Sequence, residues 1–265
     1  MGLAARASAL GARRAVLRTL VVRDLRIRYA GSALGYLWTV LDPLAMAAVY
    51  WFVFTQIFDR EGQVGERPYA LFLVVGLLSW QWFSASLTEG SRAIVSEARL
   101  VRSTNLPREV WVLRVVLAKG AEYVCSLPVL LLFCAFFYNQ LHLSWRLLLF
   151  PLAMLLQAGL LVGVCLVLAP VTALVRDTQR VVRIVLRVLF YLTPVIYGVR
   201  DLPDRFPPVL ELNPMTGILE LYRAGFFDTP LAGRPILLSV VVTSALLLGG
   251  WVLFARLENA VLKEI

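Results

Sequence analysis

The sequence predicts an all-α integral membrane protein with six transmembrane helices. Three observations support this fold class. First, 60% of the 265 residues are hydrophobic, whereas a soluble domain has about 45–50% apolar residues, and the mean hydropathy is +0.77. Second, the apolar residues form runs long enough to cross a hydrocarbon core of about 30 Å, which takes about 20 helical residues. Third, most of the basic residues lie between these runs.

The six predicted spans occupy most of the chain. They are approximately Leu34–Phe58, Tyr69–Leu87, Val116–Tyr138, Leu147–Leu174, Val181–Tyr197 and Ile236–Phe254. The chain therefore divides into an N-terminal segment (1–33), a transmembrane domain (34–254) and a short tail (255–265). Within the transmembrane domain, residues 88–115 and 198–235 are longer connections than a simple turn requires.

The distribution of basic residues predicts the orientation. Lys and Arg number 18 in the segments 1–33, 88–115 and 175–187 and the tail, against seven in the connections on the other side. Cytoplasmic loops carry such an excess, so both termini are predicted to be cytoplasmic. A net charge of +9 can also indicate nucleic-acid binding, but charge placed at span ends does not predict a nucleic-acid partner. The first 33 residues contain too many arginines for a cleaved signal peptide.

Several kinds of chemistry have no motif in this chain. The sequence has no GxxxxGK[ST] phosphate-binding loop and none of the common hydrolase motifs. We therefore predict that the chain is not an enzyme, and that any ATP and Mg²⁺ are bound by a separate subunit. The three cysteines lie inside apolar runs, where they are predicted to be packing residues. With a single histidine and no CxxC pair, neither a metal site nor a cofactor is predicted.

Residues 88–115 are predicted to contain a short amphipathic helix. Ile94, Ala98 and Val101 recur at helical spacing, and the helix should stop near Asn105 because Pro107 disfavours a helical conformation at the residue before it. Docking of a soluble partner is the functional interpretation of this helix. A solvated connector is the alternative.

Residues 198–235 contain six prolines and a second helix signal. Asn213 is a good N-cap and Pro214 suits the first helical turn. The run Met215–Phe227 is apolar but too short to span a membrane. It is predicted to be a re-entrant or interfacial helix, with an ordinary outer loop helix as the alternative.

Three charged residues fall within predicted spans, where charge is costly and usually faces protein or water. Asp42 precedes Pro43 in the first span. Lys119 and Glu122 share a helix face in the third, which predicts a structural ion pair. A proton relay is the alternative for these residues.

A series of short motifs in order along the chain resembles the permease subunits of type-2 ABC exporters, which move lipid-linked polysaccharides such as O-antigen, capsule and teichoic acid. The motifs are Arg23-Asp24, Arg28-Tyr29, Gly31-Ser32, Leu34-Gly35, Trp38, Pro43, Asn105-Leu106-Pro107-Arg108, Arg176-Asp177, Pro194, Asn213-Pro214 and Tyr222-Arg223. Two positions depart from the family's pattern. Leu106 stands where the family often has an aromatic residue, and Asp42 where a neutral side chain or an amide is expected.

The resemblance implies a bacterial inner-membrane homodimer that binds two copies of a cytoplasmic ABC ATPase. It implies that the N-terminal amphipathic segment lies at the cytoplasmic interface and that a coupling helix around Ser91–Arg102 seats in the ATPase. The coupling candidates are Ser91, Ile94, Ala98, Val101, Asn105, Pro107 and Arg108. The outer gate candidates, in the re-entrant segment, are Asn213, Pro214, Tyr222 and Arg223.

The resemblance also implies a polyprenyl-pyrophosphate-linked glycan as the substrate. Aromatic side chains can contact sugar rings without requiring one sugar sequence. The candidates for the glycan path are Tyr36, Trp38, Tyr50, Trp51, Trp80, Trp82 and Tyr191. The aromatic belt at span ends is the alternative reading for the tryptophans. Arg23, Arg26 and Arg28 are the candidates for binding the pyrophosphate, with topology anchors as the alternative.

Two other functions stay open at the level of sequence. The same architecture would serve a type-2 ABC permease for a drug or a small lipid. A membrane-embedded enzyme acting on lipid-linked sugars would need an outer acidic residue, for which Asp201, Asp204 and Glu211 are the candidates.

Overall fold

A computed structural model describes residues 10–29, 31–32, 34–57, 66–137, 139, 144–201, 210–227 and 230–264. Asp204 and parts of the N-terminal and 198–235 segments lie outside these residues. The described part of the chain is helical and contains no strand, in agreement with the predicted all-α class. The helices are α1 (Arg14–Tyr29), α2 (Trp38–Phe52), α3 (Tyr69–Gly90), α4 (Ala98–Ser103), α5 (Glu109–Phe136), α6 (Leu149–Leu174), α7 (Thr178–Leu192), α8 (Pro214–Arg223) and α9 (Gly233–Glu264).

Four of these helices are long and apolar enough to cross a membrane. They are α3, α5, α6 with the 3₁₀ turn that precedes it, and α9, with lengths of 22, 28, 30 and 32 residues. The helices α2 and α7 coincide with the first and fifth predicted spans, but each has 15 residues. A π-helical turn, Val53–Ile57, extends α2. At the positions of the six predicted spans, the described residues therefore contain four candidate spans of full length and two shorter helices.

Helix α3 forms the centre of the bundle and is buried along most of its length. It contacts α2, α5, α6, α7 and α8. The longest helix pairing is between α6 and α9, and it depends on small residues. A Cβ atom on Gly163 of α6 would lie 2.7 Å from the backbone of Leu246 and Leu247 in α9. Glycine therefore allows the two backbones to approach closely, as small residues do between membrane helices.

The bundle has two ends. One end, here called the loop end, carries α1, the loop 91–108 and the C-terminal part of α9. Helix α1 packs across this end against α5. The far end carries the turn 193–201 and the start of α8. Helix α8 is buried among α3, α6 and α9.

The loop 91–108 does not form the single helix predicted around Ser91–Arg102. The chain leaves α3 through a turn and makes a 3₁₀ turn, Val95–Glu97, before the short helix α4. The break lies at Glu97, whose backbone leaves the helical region with φ −119° and ψ 25°. Helix α4 ends at Ser103, and Thr104 is extended, which agrees with the predicted stop near Asn105.

Candidate functional site

A groove of about 570 Å³ opens between α2, α3 and α7. Its aromatic lining residues are Tyr50, Trp80, Phe190 and Tyr191. The rings of Trp80 and Phe190 meet edge to face with 5.5 Å between their centroids. The ring centroids of Tyr50 and Phe190 are 6.1 Å apart. The groove therefore offers several ring faces and edges side by side.

The charged lining of the groove lies toward the loop end. Arg183 and Arg187 are exposed and one turn apart on α7, so they share one face of the helix. Asp42 of α2 is the one acidic residue in the described lining. An anionic group in the groove would meet two guanidinium groups, each of which can donate paired hydrogen bonds to a phosphate.

The structure separates the predicted glycan-path residues into groups. Tyr50, Trp80 and Tyr191 line the groove together. Trp38 and Trp82 line a separate cavity of about 100 Å³, which shares Asp42 and Gln81 with the groove. Trp51 lies on the exposed surface of α2, where 40% of it is accessible. The side chain of Tyr36 lies outside the described residues.

Trp82 has a structural role in this chain. Its ring stacks on Tyr123 of α5 at 5.1 Å, and its indole N–H donates to the carbonyl of Val116 at 3.4 Å. It is only 5% exposed. Trp82 therefore joins α3 to α5, and little of its surface is left for a sugar.

A cluster of eight charged side chains joins α1, α3, the loop and α5 at the loop end. Its cations are Arg23, Arg28, Arg114 and Lys119, and its anions are Asp24, Glu89, Glu97 and Glu122. The cluster contains the predicted Lys119–Glu122 pair, with 3.2 Å between Nζ and Oε1. Lys119 also lies 2.7 Å from Glu89. The pair is therefore part of a larger network that the local helix spacing did not predict.

Glu97 is held by two arginines. Its Oε1 accepts from Arg23 Nη2 at 2.6 Å and from Arg114 Nη1 at 2.8 Å. Partial burial by itself would raise the pKa of Glu97, but the hydrogen bonds and charges of Arg114 and Arg23 outweigh it and hold that pKa below its ordinary value. Glu97 is therefore a charged carboxylate at neutral pH.

These contacts argue against the predicted role of two of the three pyrophosphate candidates. Arg23 pairs with Asp24 and Glu97, and Arg28 pairs with Glu89 and Glu122 at 3.0 and 3.2 Å. An anionic ligand would have to displace carboxylates that already neutralise these arginines. Arg26 is exposed, and the described residues show no ion pair for it.

The predicted gate residues form a clamp at the far end. Arg223 donates to the carbonyl oxygens of Pro194 and Val195 at 2.7 and 2.8 Å, and its guanidinium lies over the ring of Phe72 at 3.5 Å. Asn213 accepts from the N–H of Met215 and donates to the hydroxyl of Thr193. The N-cap predicted at Asn213–Pro214 is thus confirmed, and α8 is tied to the turn after α7.

Other gate residues are buried among neighbouring helices. Tyr222 is 0% exposed, and its ring contacts Phe150 of α6 and Tyr123 of α5 edge to face. A Cβ atom on Gly76 of α3 would lie 2.7 Å from both Arg223 Nη2 and the carbonyl of Val195. Glycine at this position leaves the space that the clamp occupies.

The predicted coupling residues divide into buried and exposed ones. Ser91, Ile94 and Val101 are each 1% exposed or less. Ile94 and Val101 face α6 and α9, since they line a small cavity with Pro170, Phe254 and Val261. Ile94 and Val101 therefore fix the loop to the bundle, and none of the three side chains presents a surface to a partner. The physical reason is that the apolar face of the loop is covered by the chain's own helices.

The remaining coupling candidates lie at the surface or near it. Asn105 is exposed, and Ala98, Pro107 and Arg108 are half-buried. Arg108 donates to the carbonyls of Leu106 and Thr104 at 2.6 and 3.3 Å, which closes the turn before α5. The exposed side chains of the segment are Arg92, Val95, Ser96, Arg99, Leu100, Arg102 and Ser103.

The acidic residues required for the enzyme alternative have structural partners. Asp201 accepts from the N–H of Gly198 at 2.6 Å. Glu211 lies 3.3 Å from Arg234. Asp204 lies outside the described residues.

Arg183 and Arg187 are the site residues that sequence reasoning missed. They were counted only among the basic residues of segment 175–187. A signal was present, because Arg180, Arg183 and Arg187 recur at helical spacing on a helix whose remaining residues are mostly apolar. That pattern indicates a polar face on α7, but it does not indicate that the face turns toward α2 and α3.

The long apolar helices and the groove between them are typical of a multi-pass membrane protein. The particular family follows from comparison with known proteins. Residues 15–227 match the family of ABC-2 type transporters, and the chain belongs to that family.

Three relatives resemble the chain over most of its length. An O-antigen export system permease protein of Myxococcus xanthus is 33% identical over 237 residues, which is 89% of each chain. An O-antigen export system permease protein of Klebsiella pneumoniae is 28% identical over 243 residues, which is 92% of each chain. A polysialic acid transport protein of Escherichia coli is 24% identical over 215 residues, which is 78% of this chain and 79% of its own length.

Proposed function

We propose that this chain is the membrane permease subunit of an ATP-driven exporter of a lipid-linked polysaccharide. The substrate is a glycan of the O-antigen, capsule or teichoic-acid type on a polyprenyl pyrophosphate carrier. The chain acts in the inner membrane as a homodimer with two copies of a cytoplasmic ATPase subunit, which binds ATP and Mg²⁺. It crosses the membrane six times, with α2 and α7 as the two shorter spans and both termini in the cytoplasm.

The observation that carries this proposal is the two-part lining of the groove. Aromatic side chains occupy the part toward the far end, and Arg183 and Arg187 occupy the part toward the loop end. Ring faces bind sugars of differing sequence, and the guanidinium pair suits a pyrophosphate. This arrangement matches the chemistry of a glycan joined to a phosphate-bearing lipid. A purely apolar drug or lipid would not need the arginines.

The proposal assigns the pyrophosphate to Arg183 and Arg187 in place of Arg23 and Arg28. The latter two are neutralised within the charge cluster, whereas the described residues show no ion pair for either α7 arginine. A membrane-facing groove also keeps the polyprenyl tail in lipid while the phosphates meet charge. Arg26 is exposed and is retained as a second contact for the pyrophosphate at the membrane interface.

The test is reconstitution of the full chain with the ATPase subunit encoded beside it. Proteoliposomes should accumulate a lipid-pyrophosphate-linked oligosaccharide only when both subunits and ATP are present. The double variant Arg183→Gln/Arg187→Gln should reduce this flux by about thirtyfold, as the loss of two charged contacts of about 1 kcal/mol each predicts. Arg180→Gln is the matched control, since Arg180 lies on the same helix but does not line the groove.

Two results would overturn the proposal. One is transport by the chain in the absence of any ATPase. The other is flux in the double variant that equals flux in the control. Movement of a drug or a simple lipid without movement of the glycan would favour the alternative permease function.

Docking of the ATPase is assigned to the exposed side of the loop. Val95 and Leu100 are each 36% exposed and lie on the segment opposite its buried residues. Leu100→Asp should prevent co-purification of the ATPase while the chain remains folded. Val101→Asp should instead destabilise the loop, because Val101 is 0% exposed and a buried unpaired carboxylate is costly. Normal ATPase binding by Leu100→Asp would contradict this assignment.

A further inference from the structure

Glu97 is the residue of the loop 91–108 that joins two other elements through a single oxygen atom. Its Oε1 accepts a hydrogen bond from Arg23 of α1 and another from Arg114 of α5. It lies where the 3₁₀ turn meets α4. Glu97 therefore lies within a few residues of the exposed side of the loop, and a movement of that side would displace it.

A second contact closes these groups into a ring. Arg114 Nε lies 3.3 Å from Asp24 Oδ2, and Arg23 Nη2 lies 3.1 Å from Asp24 Oδ1. Two guanidinium groups thus alternate with two carboxylates across α1, the loop and α5. The side chain of Arg114 is only 6% exposed. Partly buried pairs of this kind are screened less by salt than exposed ones, and separating them leaves a charge without a partner.

The loop is held on its other side by apolar contacts. Ile94 and Val101 are buried against α6 and α9, near Pro170, Phe254 and Val261. The loop therefore lies between an apolar contact and an ionic one. A displacement of the loop is expected to break the ring or to move α1 and α5 with it.

The two helices joined through Glu97 reach the neighbourhood of the groove. Arg28 of α1 and Lys119 and Glu122 of α5 line the small cavity that shares Asp42 with the groove. A chain of described contacts thus runs from the loop through Glu97 and α1 or α5 to a wall of the groove. Contiguous networks of ion pairs and packed side chains of this kind can carry coupling between two sites.

We propose that Glu97 is a positioning residue that transmits movement of the docking loop to α1 and α5, and so links ATP hydrolysis on the partner to the state of the groove. This inference rests on the proposed docking of an ATPase at the loop. It predicts a particular defect. Without the Glu97 contacts the ATPase still binds and still hydrolyses ATP, but less glycan moves for each ATP consumed.

The experiment measures transport and ATP hydrolysis together in proteoliposomes that contain the full permease and its ATPase. Glu97→Gln removes the charge and keeps the shape. We expect transport per ATP to fall by about fivefold or more, within the usual range of coupling between sites, and Glu97→Asp to recover part of the loss. Glu211→Gln is the matched control, because Glu211 pairs with Arg234 outside the cluster and lines neither the groove nor the small cavity. The transport per ATP of this control should stay within about twofold of the wild-type value.

A second variant tests the contact between Glu97 and α1 by changing residues of α1. Arg23→Gln/Asp24→Asn removes both contacts of α1 with the ring and leaves the bond between Glu97 and Arg114. This variant decides the question if Glu97→Gln cannot be recovered as a folded protein. The proposal would be overturned if transport per ATP in a folded Glu97→Gln protein, or in the double variant, equalled the wild-type value. Failure of the proposed function is separable, since it would already be seen as absent transport or absent ATPase binding in the wild type.

Discussion

Removal of the Arg223 side chain is expected to loosen the far end of the bundle. Arg223→Met keeps the apolar volume but loses two hydrogen bonds, to Pro194 O at 2.7 Å and Val195 O at 2.8 Å. It also loses the contact of the guanidinium with Phe72 at 3.5 Å. Because Arg223 is only 5% exposed, water does not readily replace these interactions.

The magnitude follows from the three contacts. Hydrogen bonds between membrane helices contribute about 0.6 kcal/mol on average and up to about 1.7 kcal/mol, and bonds to charged groups lie toward the upper value. A desolvated cation–π contact contributes about 2 kcal/mol. Relief from burying the charge offsets part of this sum. We therefore expect the free energy of unfolding to fall by about 2–4 kcal/mol.

The assay is unfolding of the purified chain in mixed detergent micelles, followed by loss of helical circular dichroism. Arg234→Met is the matched control at the same end. Its side chain is 75% exposed, and the described structure gives it a single ion pair, with Glu211 at 3.3 Å. The control should change stability by about 0.5 kcal/mol or less. Equal unfolding curves for Arg223→Met and the wild type would refute the reasoning.

Three further predictions concern other regions of the molecule. Gly163→Val should lower the free energy of unfolding by about 1–3 kcal/mol through overpacking. Gly249→Val should not, because a Cβ atom at Gly249 would have no neighbour within 4 Å. Equal losses in the two variants would contradict the close α6–α9 contact. Tyr191→Ala should reduce glycan flux about threefold to tenfold without destabilising the chain, while Trp145→Ala, exposed and outside the groove, should leave flux unchanged. The folded-state pKa of Glu97 lies below its unfolded value, so the loop contact should persist above about pH 4.3 and weaken below it. A spin label on the exposed face of α4 should gain mobility only in that acidic range. A gain in mobility near neutral pH would contradict the assignment.

Local patterns predicted the features that depend on neighbouring residues. The apolar runs predicted α3, α5, α6 and α9, since a run of sufficient length must be helical in lipid. The Asn213–Pro214 pair predicted the start of α8, because capping involves residues within one turn. The three-residue spacing of Lys119 and Glu122 predicted their ion pair.

The direction in which a face points was harder to predict. The periodicity of Ile94 and Val101 indicated an apolar face on the loop, but it carried no information on what covers that face. Sequence reasoning assigned the face to a partner protein, whereas α6 and α9 of the same chain cover it. Arg23 and Arg28 of α1 were likewise candidates for binding a ligand, although carboxylates from distant segments neutralise them. Glu97, for example, is 74 residues from Arg23 in the chain.

The amino-acid sequence by itself determined that this protein is a helical membrane protein, where most of its long helices lie and where α8 begins. These properties depend on hydrophobicity and on hydrogen bonding within a few residues. Only the tertiary structure decided that α2, α3 and α7 enclose a groove with arginines at one end, and that Glu97 lies between α1 and α5. Those contacts join residues far apart in the chain, and their formation depends on how whole helices pack.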